Sequence, residues 1–295
     1  MVDDRFFPRT FAAIPEEHAR FEAARVVILP VPYDHTASGL AGSREGPRAI
    51  IDASEEMELY DLELESEPYR AGIHTLPEVA PLAGDPAAMM ERIEALVGEL
   101  LDAGKFVVTL GGEHTVAVGA ARAYRRRFPN LSVLALDAHA DLRPEYLGTP
   151  YNHACTLRRI GELCPVVQVG LRSAEREEHE FIRQQELPFF AVGAYRALTD
   201  GPAEVAARLT ADVYVTIDLD ALDPAEMAAV GTPEPGGLRW EEVTALLASA
   251  SGGRERRIVG FDVTELAPRL GPFANAQLAA KLTYRLIGLA LREGS

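Results

Sequence analysis

The chain has 295 residues, of which 47% are hydrophobic and 25% are charged; this composition excludes a disordered, collagen-like or coiled-coil chain. Its 29 basic and 45 acidic residues give a net charge of −16, which disfavours nucleic acid and anionic membranes as partners and weakly favours cationic ligands. With two cysteines, no signal peptide and no apolar run of membrane-spanning length, we expect a cytoplasmic protein that does not cross a membrane.

We predict one domain over residues 1–295, because glycine and proline are scattered and no segment has the composition of a linker. A chain of this length buries about three quarters of its unfolded surface, so it needs no disulfide to fold. Residues 1–24 are polar and mixed. We expect them to form an N-terminal arm on the surface or at a subunit contact.

Six short apolar runs along the chain predict strands that are buried on both faces. They are residues 26–29, 106–110, 131–136, 166–169, 213–217 and 258–263. Between them, apolar stripes at helical spacing run from Met89 to Leu101 and from Leu278 to Leu291. The alternation predicts an α/β fold with a mostly parallel sheet flanked by helices, whose ligands bind at the carboxyl ends of the strands.

Histidine and aspartate residues follow three of these strands directly. Strand 106–110 runs into Gly-Gly-Glu-His-Thr, strand 131–136 into Asp-Ala-His-Ala-Asp, and strand 213–217 into Asp-Leu-Asp. Alternate residues of an extended chain share one face, so we expect these side chains to point together. The predicted metal ligands are His114, Asp137, His139, Asp141, Asp218 and Asp220.

The charge of this predicted cluster indicates a two-metal site. Four carboxylates within a few ångströms cannot all ionise alone, whereas two divalent cations would balance their charge. Two cations about 3.5–4 Å apart that share carboxylates are common in hydrolytic sites. Oxygen and imidazole ligands without thiolate favour Mn²⁺, with Co²⁺, Ni²⁺ or Zn²⁺ also possible.

These segments, in this order, resemble the ureohydrolase family, which comprises arginases, agmatinases and their relatives. The Asp-Val-Thr-Glu-Leu-Ala-Pro segment at 262–268 matches as well, and the resemblance extends from about residue 30 to the C-terminal helix. It implies a three-layer α/β/α fold, a binuclear manganese site and a trimeric or hexameric assembly.

The resemblance also assigns roles to the predicted ligands. It implies that His114 and Asp141 bind one metal and that His139 and Asp220 bind the other. The bridging carboxylates would be Asp137 and Asp218. Asp223, followed by Pro224, resembles a residue that shapes its loop rather than a ligand.

Two further residues match catalytic positions of the family. His153 stands where the family has a proton-shuttling histidine, and Glu265 matches the glutamate that pairs with the substrate guanidinium. A carboxylate suits a planar guanidinium because it can accept two parallel hydrogen bonds, and imidazole can relay a proton near neutral pH. The implied reaction hydrolyses a cationic guanidino compound to urea and an amine.

The loop of residues 142–152 resembles agmatinase-like members more than arginases, so we predict agmatine as the substrate, in polyamine biosynthesis. Aminopropylagmatine, arginine and formiminoglutamate remain alternatives, as does guanidinobutyrate, for which Arg143 is a candidate partner. Glu145 and Tyr146 could line a pocket for an amine tail. From other classes, a mononuclear metal amidase or deacetylase and a non-catalytic family member stay open, although six ligands argue against both.

Overall fold

The computed structural model describes residues 9–252 and 256–292. Within these ranges eight strands form one sheet: β1 Val26–Val31, β2 Ile73–Thr75, β3 Phe106–Gly111, β4 Leu131–Leu136, β5 Val166–Leu171, β6 Phe189–Ala191, β7 Asp212–Asp218 and β8 Arg257–Thr264. Their order across the sheet is β2-β1-β3-β8-β7-β4-β5-β6. Every neighbouring pair is parallel.

Helices of the described part cover both faces of the sheet, which confirms the three-layer α/β/α prediction. They are α1 Glu16–Ala19, α2 Gly46–Ser54, α3 Pro86–Asp102, α4 Val116–Arg127, α5 Thr156–Gly161, α6 Arg176–Gln184, α7 Val192–Arg196, α8 Gly201–Ala206, α9 Trp240–Ala250 and α10 Phe273–Leu291. Helices α3 to α6 pack on one face, with Met89 and Leu157 in the core. Helices α2 and α10 pack on the other, through Ile50 and Leu286. None of these described helices is long and apolar enough to cross a membrane.

The central strands form where the sequence is apolar at every position. All residues of β4 and β5 are buried. In β1, Val27 and Leu29 point into one core while Val26 and Ile28 point into the other, as the two-residue period of a strand requires. Strands covered by helices on both faces therefore need unbroken apolar runs.

The sequence patterns do not predict the two strands at the edges of the sheet. β2 and β6 have three residues each, and β6 is only partly buried. An edge strand pairs on one side only, so it can be short and mixed in composition. Such strands leave no clear periodic signal.

Residues 9–24 of the predicted N-terminal arm lie beside β2 and α2. Phe11 is fully buried, and its N–H donates to Thr75 Oγ1 at 2.9 Å. The N–H of Ala12 donates to Ser54 Oγ at 2.7 Å. Residues 1–8 of the arm lie outside the described residues.

The strand order brings the segments with the predicted ligands together. Strands β3, β8, β7 and β4 are consecutive in the middle of the sheet, although they lie far apart in the sequence. Because they are parallel, their carboxyl ends meet at one edge. Helices cover both faces behind that edge, so most of the predicted ligands there are buried.

Candidate metal centre

All six predicted ligands lie at the carboxyl edge of the four central strands. The turn after β3 depends on Gly112, because a β-carbon there would collide with the backbone of Tyr33. This close approach lets the N–H of Glu113 donate to the Tyr33 carbonyl at 2.8 Å and fixes the neighbouring His114. The helix after this turn starts at Val116.

Four ligands form what we call the inner group: His114, Asp137, Asp141 and Asp218. Nδ1 of His114 faces one oxygen of each carboxylate, at 3.0 Å for Asp137, 3.1 Å for Asp141 and 3.6 Å for Asp218. All four residues are buried. Three carboxylates around one imidazole nitrogen match the ligand set of a divalent cation.

The outer group consists of Asp137, His139 and Asp220. Nδ1 of His139 lies 2.9 Å from Asp220 Oδ2 and 3.8 Å from Asp137 Oδ1. The His139 side chain is 26% exposed, whereas that of His114 is 1% exposed. Asp137 therefore belongs to both groups and offers one oxygen to each, as a bridging carboxylate would.

The backbone brings these side chains together differently from our prediction. We expected extended segments, but Asp141 has a φ of 51° and Asp220 lies in a short 3₁₀ helix after β7. Consequently Asp141 turns toward His114, and Asp218 and Asp220 belong to different groups. The assumption of one shared extended face was wrong, because turns at both strand ends redirect the side chains.

Crowded negative charge perturbs the carboxyl groups of the centre. Burial, followed by the charges of Asp220 and Asp137, raises the pKa of Asp218 well above its ordinary value. Burial and the charge of Asp137 raise the pKa of Asp141 to about 7. Carboxyls that hold protons near neutral pH because of their neighbours can exchange those protons for cations.

The negative charge also perturbs His139, the histidine of the outer group. Burial alone would lower the pKa of His139, but the hydrogen bond and charge of Asp220 raise it to about 10. Without a metal, a proton on His139 offsets the charge of Asp220. A cation bound by both residues would do the same.

One atom of the centre supports cation binding directly. Asp137 Oδ2 is buried, yet it accepts no hydrogen bond from the described residues. It lies 3.0 Å from His114 Nδ1 without the geometry of a hydrogen bond. Buried carboxylate oxygens are normally satisfied, and a cation between these two atoms would satisfy both. The donor set therefore fits a pair of divalent cations.

A cleft of about 320 Å³ opens beside the outer group. It is lined by His139, Asp141 and His153, with Arg143 and Tyr146 at the same opening. The predicted shuttle residue thus lies in the same cleft as ligands of the centre. Burial lowers the pKa of His153 to about 4, with further lowering by the charges of His139 and His114.

Glu265, the predicted guanidinium partner, lies at the inner side of the centre rather than in the wall of this cleft. Its Oε1 accepts the backbone N–H of His114 at 2.8 Å, and its φ is 67°. Burial and the nearby charge of Glu113 raise its pKa to about 8. The charge of Glu265 in turn acts on Asp218, so the side chain is close to the inner group.

Three residues that sequence reasoning missed support this arrangement. Ser38 lies against His153, with its Oγ 2.7 Å and its backbone N 3.2 Å from Nε2. The buried Glu113 accepts the backbone N–H of Thr36 at 2.7 Å and so anchors the loop that bears Ser38. A signal existed only for Glu113, which is a charged residue next to a predicted ligand.

The third is Arg172, which holds the loop after β7. Its guanidinium donates to the carbonyls of Asp220 at 2.7 Å and Leu222 at 3.2 Å. Asp223 shapes the same loop, since its carboxylate accepts the N–H groups of Ala225, Gly236 and Gly237. This placement agrees with the loop-shaping role inferred for Asp223 from the family resemblance.

A comparison with protein-family models matches residues 24–288 to the arginase family. The chain belongs to the arginase family. Within it, the chain is 42% identical to an N(1)-aminopropylagmatine ureohydrolase of Thermus thermophilus over 93% of each chain. It is 35% identical to an agmatinase of Bacillus cereus over 86% of this chain and 87% of the relative.

Solved structures agree with this membership. The agmatine ureohydrolase of Thermoplasma volcanium has a TM-score of 0.86 at 30% identity and covers 97% of this chain and 96% of its own. The proclavaminate amidino hydrolase of Streptomyces clavuligerus has a TM-score of 0.87 at 27% identity, covering 96% and 97%. As an arginase-family member, the chain is a hydrolase of the guanidino C–N bond, and the ureohydrolase prediction is confirmed.

Proposed function

We propose that this arginase-family hydrolase releases urea from N(1)-aminopropylagmatine, with agmatine as a second substrate, in polyamine biosynthesis. One observation carries the proposal: Asp137 joins two ligand groups beside a cleft that also holds His153. The sequence favoured agmatine itself. Relatives at 42% and 36% identity are named N(1)-aminopropylagmatine ureohydrolases, which moves the longer polyamine to first place.

The mouth of the cleft supports a cationic rather than an anionic substrate tail. Arg143, the candidate partner for guanidinobutyrate, lies 3.0 Å from Glu175 and stacks on Tyr146 with 4.3 Å between its guanidinium carbon and the ring centroid. Its charge is therefore already offset by a carboxylate. A carboxylate and an aromatic ring at one opening also suit an ammonium group. Glu145 is not among the residues that line the cleft.

We further propose that the resident cations are two Mn²⁺ ions. The inner group would hold one through His114, Asp137, Asp141 and Asp218, and the outer group would hold the other through Asp137, His139 and Asp220. The bridging role of Asp218 stays an implication of the family resemblance. The donors are oxygen and imidazole, which suit a hard or borderline ion. When bound, two such cations acidify water so that hydroxide is available at neutral pH.

The protein's own residues then orient the substrate and move a proton. Glu265 accepts the guanidinium N–H groups and fixes the plane of the substrate, which converts the encounter into an oriented reaction. His153, which its lowered pKa of about 4 leaves neutral near pH 7, passes a proton from solvent to the departing amine. Ser38 holds the imidazole of His153 in place from the solvent side.

The test is urea release from aminopropylagmatine, agmatine, arginine and guanidinobutyrate by protein reconstituted with Mn²⁺. We expect kcat/KM to be highest for aminopropylagmatine and next for agmatine, because both carry a cationic tail. Preference for arginine or guanidinobutyrate would contradict the assigned tail. No urea from any of them would contradict the proposed activity.

A mononuclear amidase or deacetylase would require a single ligand group, and the shared Asp137 favours two. A non-catalytic role would leave His153 and the cleft without a function. The trimer or hexamer and the cytoplasmic location remain predictions, which light scattering of the purified protein and fractionation of the cells that produce it would check.

A further inference from the structure

A line of buried polar side chains runs from His114 into the interior of the sheet. His114 Nε2 lies 2.9 Å from Thr216 Oγ1, and Thr216 Oγ1 lies 2.8 Å from Asp262 Oδ1. The other oxygen of Asp262 accepts the hydroxyl of Tyr214 at 2.6 Å. All four residues have a relative exposure of 0%. The line therefore has no contact with the cleft or with solvent.

The protons of this line can be assigned by counting donors. Thr216 has one hydroxyl proton, and an ionised carboxylate can only accept, so the proton points to Asp262. The lone pairs of Thr216 must then accept from His114, which places a proton on Nε2. In the neutral imidazole only one nitrogen is protonated. In a His114 made neutral by a bound cation, Nδ1 would therefore be the bare nitrogen, and Nδ1 faces the three carboxylates of the inner group.

Strand pairing makes this arrangement rigid. Thr216 on β7 is the register partner of Asp262 on β8, and Thr109 on β3 is its partner on the other side. A buried carboxylate is costly unless its hydrogen bonds are satisfied. Two hydroxyl donors satisfy Asp262, and the only described ligand of the centre that the line reaches is His114.

We propose that Asp262, acting through Thr216, is a positioning residue that holds His114 so that its Nδ1 binds the inner cation, and that it has no such effect on the outer cation. This inference rests on the proposed function, because it requires two cations. Carboxylates that orient a histidine ligand through its second nitrogen raise both its basicity and its orientational order. The second nitrogen of the outer histidine faces only a more distant carboxylate among the described residues, with 4.0 Å between His139 Nε2 and Glu234 Oε1.

The test measures Mn²⁺ binding to the purified full-length protein by calorimetry, and the magnetic coupling of the two ions by electron paramagnetic resonance. In Thr216→Val, which removes the hydroxyl but keeps the shape, we expect the inner cation to bind roughly 10–100-fold more weakly. The affinity of the outer group for Mn²⁺ should stay unchanged. The paramagnetic resonance signal of two coupled ions should be replaced by that of a single ion. Asp262→Asn should weaken the same cation to a smaller extent.

Two conservative variants separate positioning from folding. Thr216→Ser retains the hydroxyl and should restore inner-site affinity. Tyr214→Phe removes the other donor to Asp262 and should affect metal binding less than Thr216→Val, although both delete one buried hydroxyl. The melting temperatures of the metal-free proteins show whether each variant is folded.

The outcomes distinguish this inference from the proposed function. Fewer than two Mn²⁺ ions in the parent protein would overturn the proposed function and this inference with it. Two ions in the parent and unchanged inner affinity in Thr216→Val would overturn the inference alone. Equal weakening of both ions would also overturn it, because the line would then support the whole centre.

Discussion

The inner and outer ligand groups share Asp137 but differ in their surroundings. The inner histidine is enclosed, and its second nitrogen leads to buried side chains of β7 and β8. The outer histidine is 26% exposed and lines the cleft. The outer aspartate depends on backbone contacts, as Asp220 Oδ1 accepts the N–H of Ala138 at 3.0 Å. One centre thus combines a closed position with a position open to substrate.

The comparison predicts which single change removes both cations. Asp137→Asn takes a charged oxygen from each group, so both cations should be lost. The fall in urea release should exceed the roughly 10–100-fold that loss of an indirect partner causes. Metal analysis after dialysis would check this, and two retained ions would mean that Asp137 does not bridge.

The two histidines should behave differently when substituted. His139→Ala should release the outer ion and leave the inner one bound, because the inner group keeps all its carboxylates. Limited chelation of the parent protein should likewise remove the exposed ion first. Stepwise metal analysis together with magnetic resonance measures the order, and loss of both ions in one step would contradict the difference between the groups.

A substitution in the cleft should leave both cations bound. In His153→Asn we expect kcat to fall by roughly 10²–10⁴-fold, the usual contribution of a proton-transfer residue, with two ions still bound. The matched control is metal content of the same preparation. An unchanged kcat would reassign His153 to a structural role.

The smallest effect is expected at the solvent side of the cleft. Ser38→Ala removes a hydroxyl contact to His153, and loss of one hydrogen bond of about 1 kcal/mol corresponds to a several-fold lower kcat. Ser38→Thr keeps the hydroxyl and should retain most of the activity. A large change in KM with constant kcat would show that Ser38 contacts the substrate instead.

Sequence reasoning located the candidate site because its predicted ligands closely follow apolar runs. A parallel sheet buried on both faces requires such runs, and the ends of its strands must meet. Residue spacing did not predict that Asp218 joins the inner group and Asp220 the outer group, because this depends on the 3₁₀ turn after β7; only the family resemblance assigned Asp220 to the second metal. Residue spacing did not predict the positive φ of Asp141 either, although aspartate adopts such a conformation more often than most residues.

Contacts across long sequence separations were also missed. Ser38 and His153 are 115 residues apart, and nothing in either segment indicates that they meet. Thr216 could have been recognised more easily from the sequence, since it lies two residues before Asp218 and shares its face of β7. A polar residue within an otherwise apolar buried strand is a signal that attention to apolar runs alone overlooks.

The left-handed backbone of Glu265 has a consequence for the choice of residue at this position. A non-glycine residue held at such a φ costs roughly 1–3 kcal/mol, and glycine adopts this conformation freely. Glu265→Gly would relieve this strain, but it would also remove the carboxylate that accepts the buried N–H of His114 at 2.8 Å, and an unsatisfied donor costs about 1–3 kcal/mol. The side chain of Glu265 thus offsets the strain of its own backbone, so this conformation can persist at a non-glycine residue.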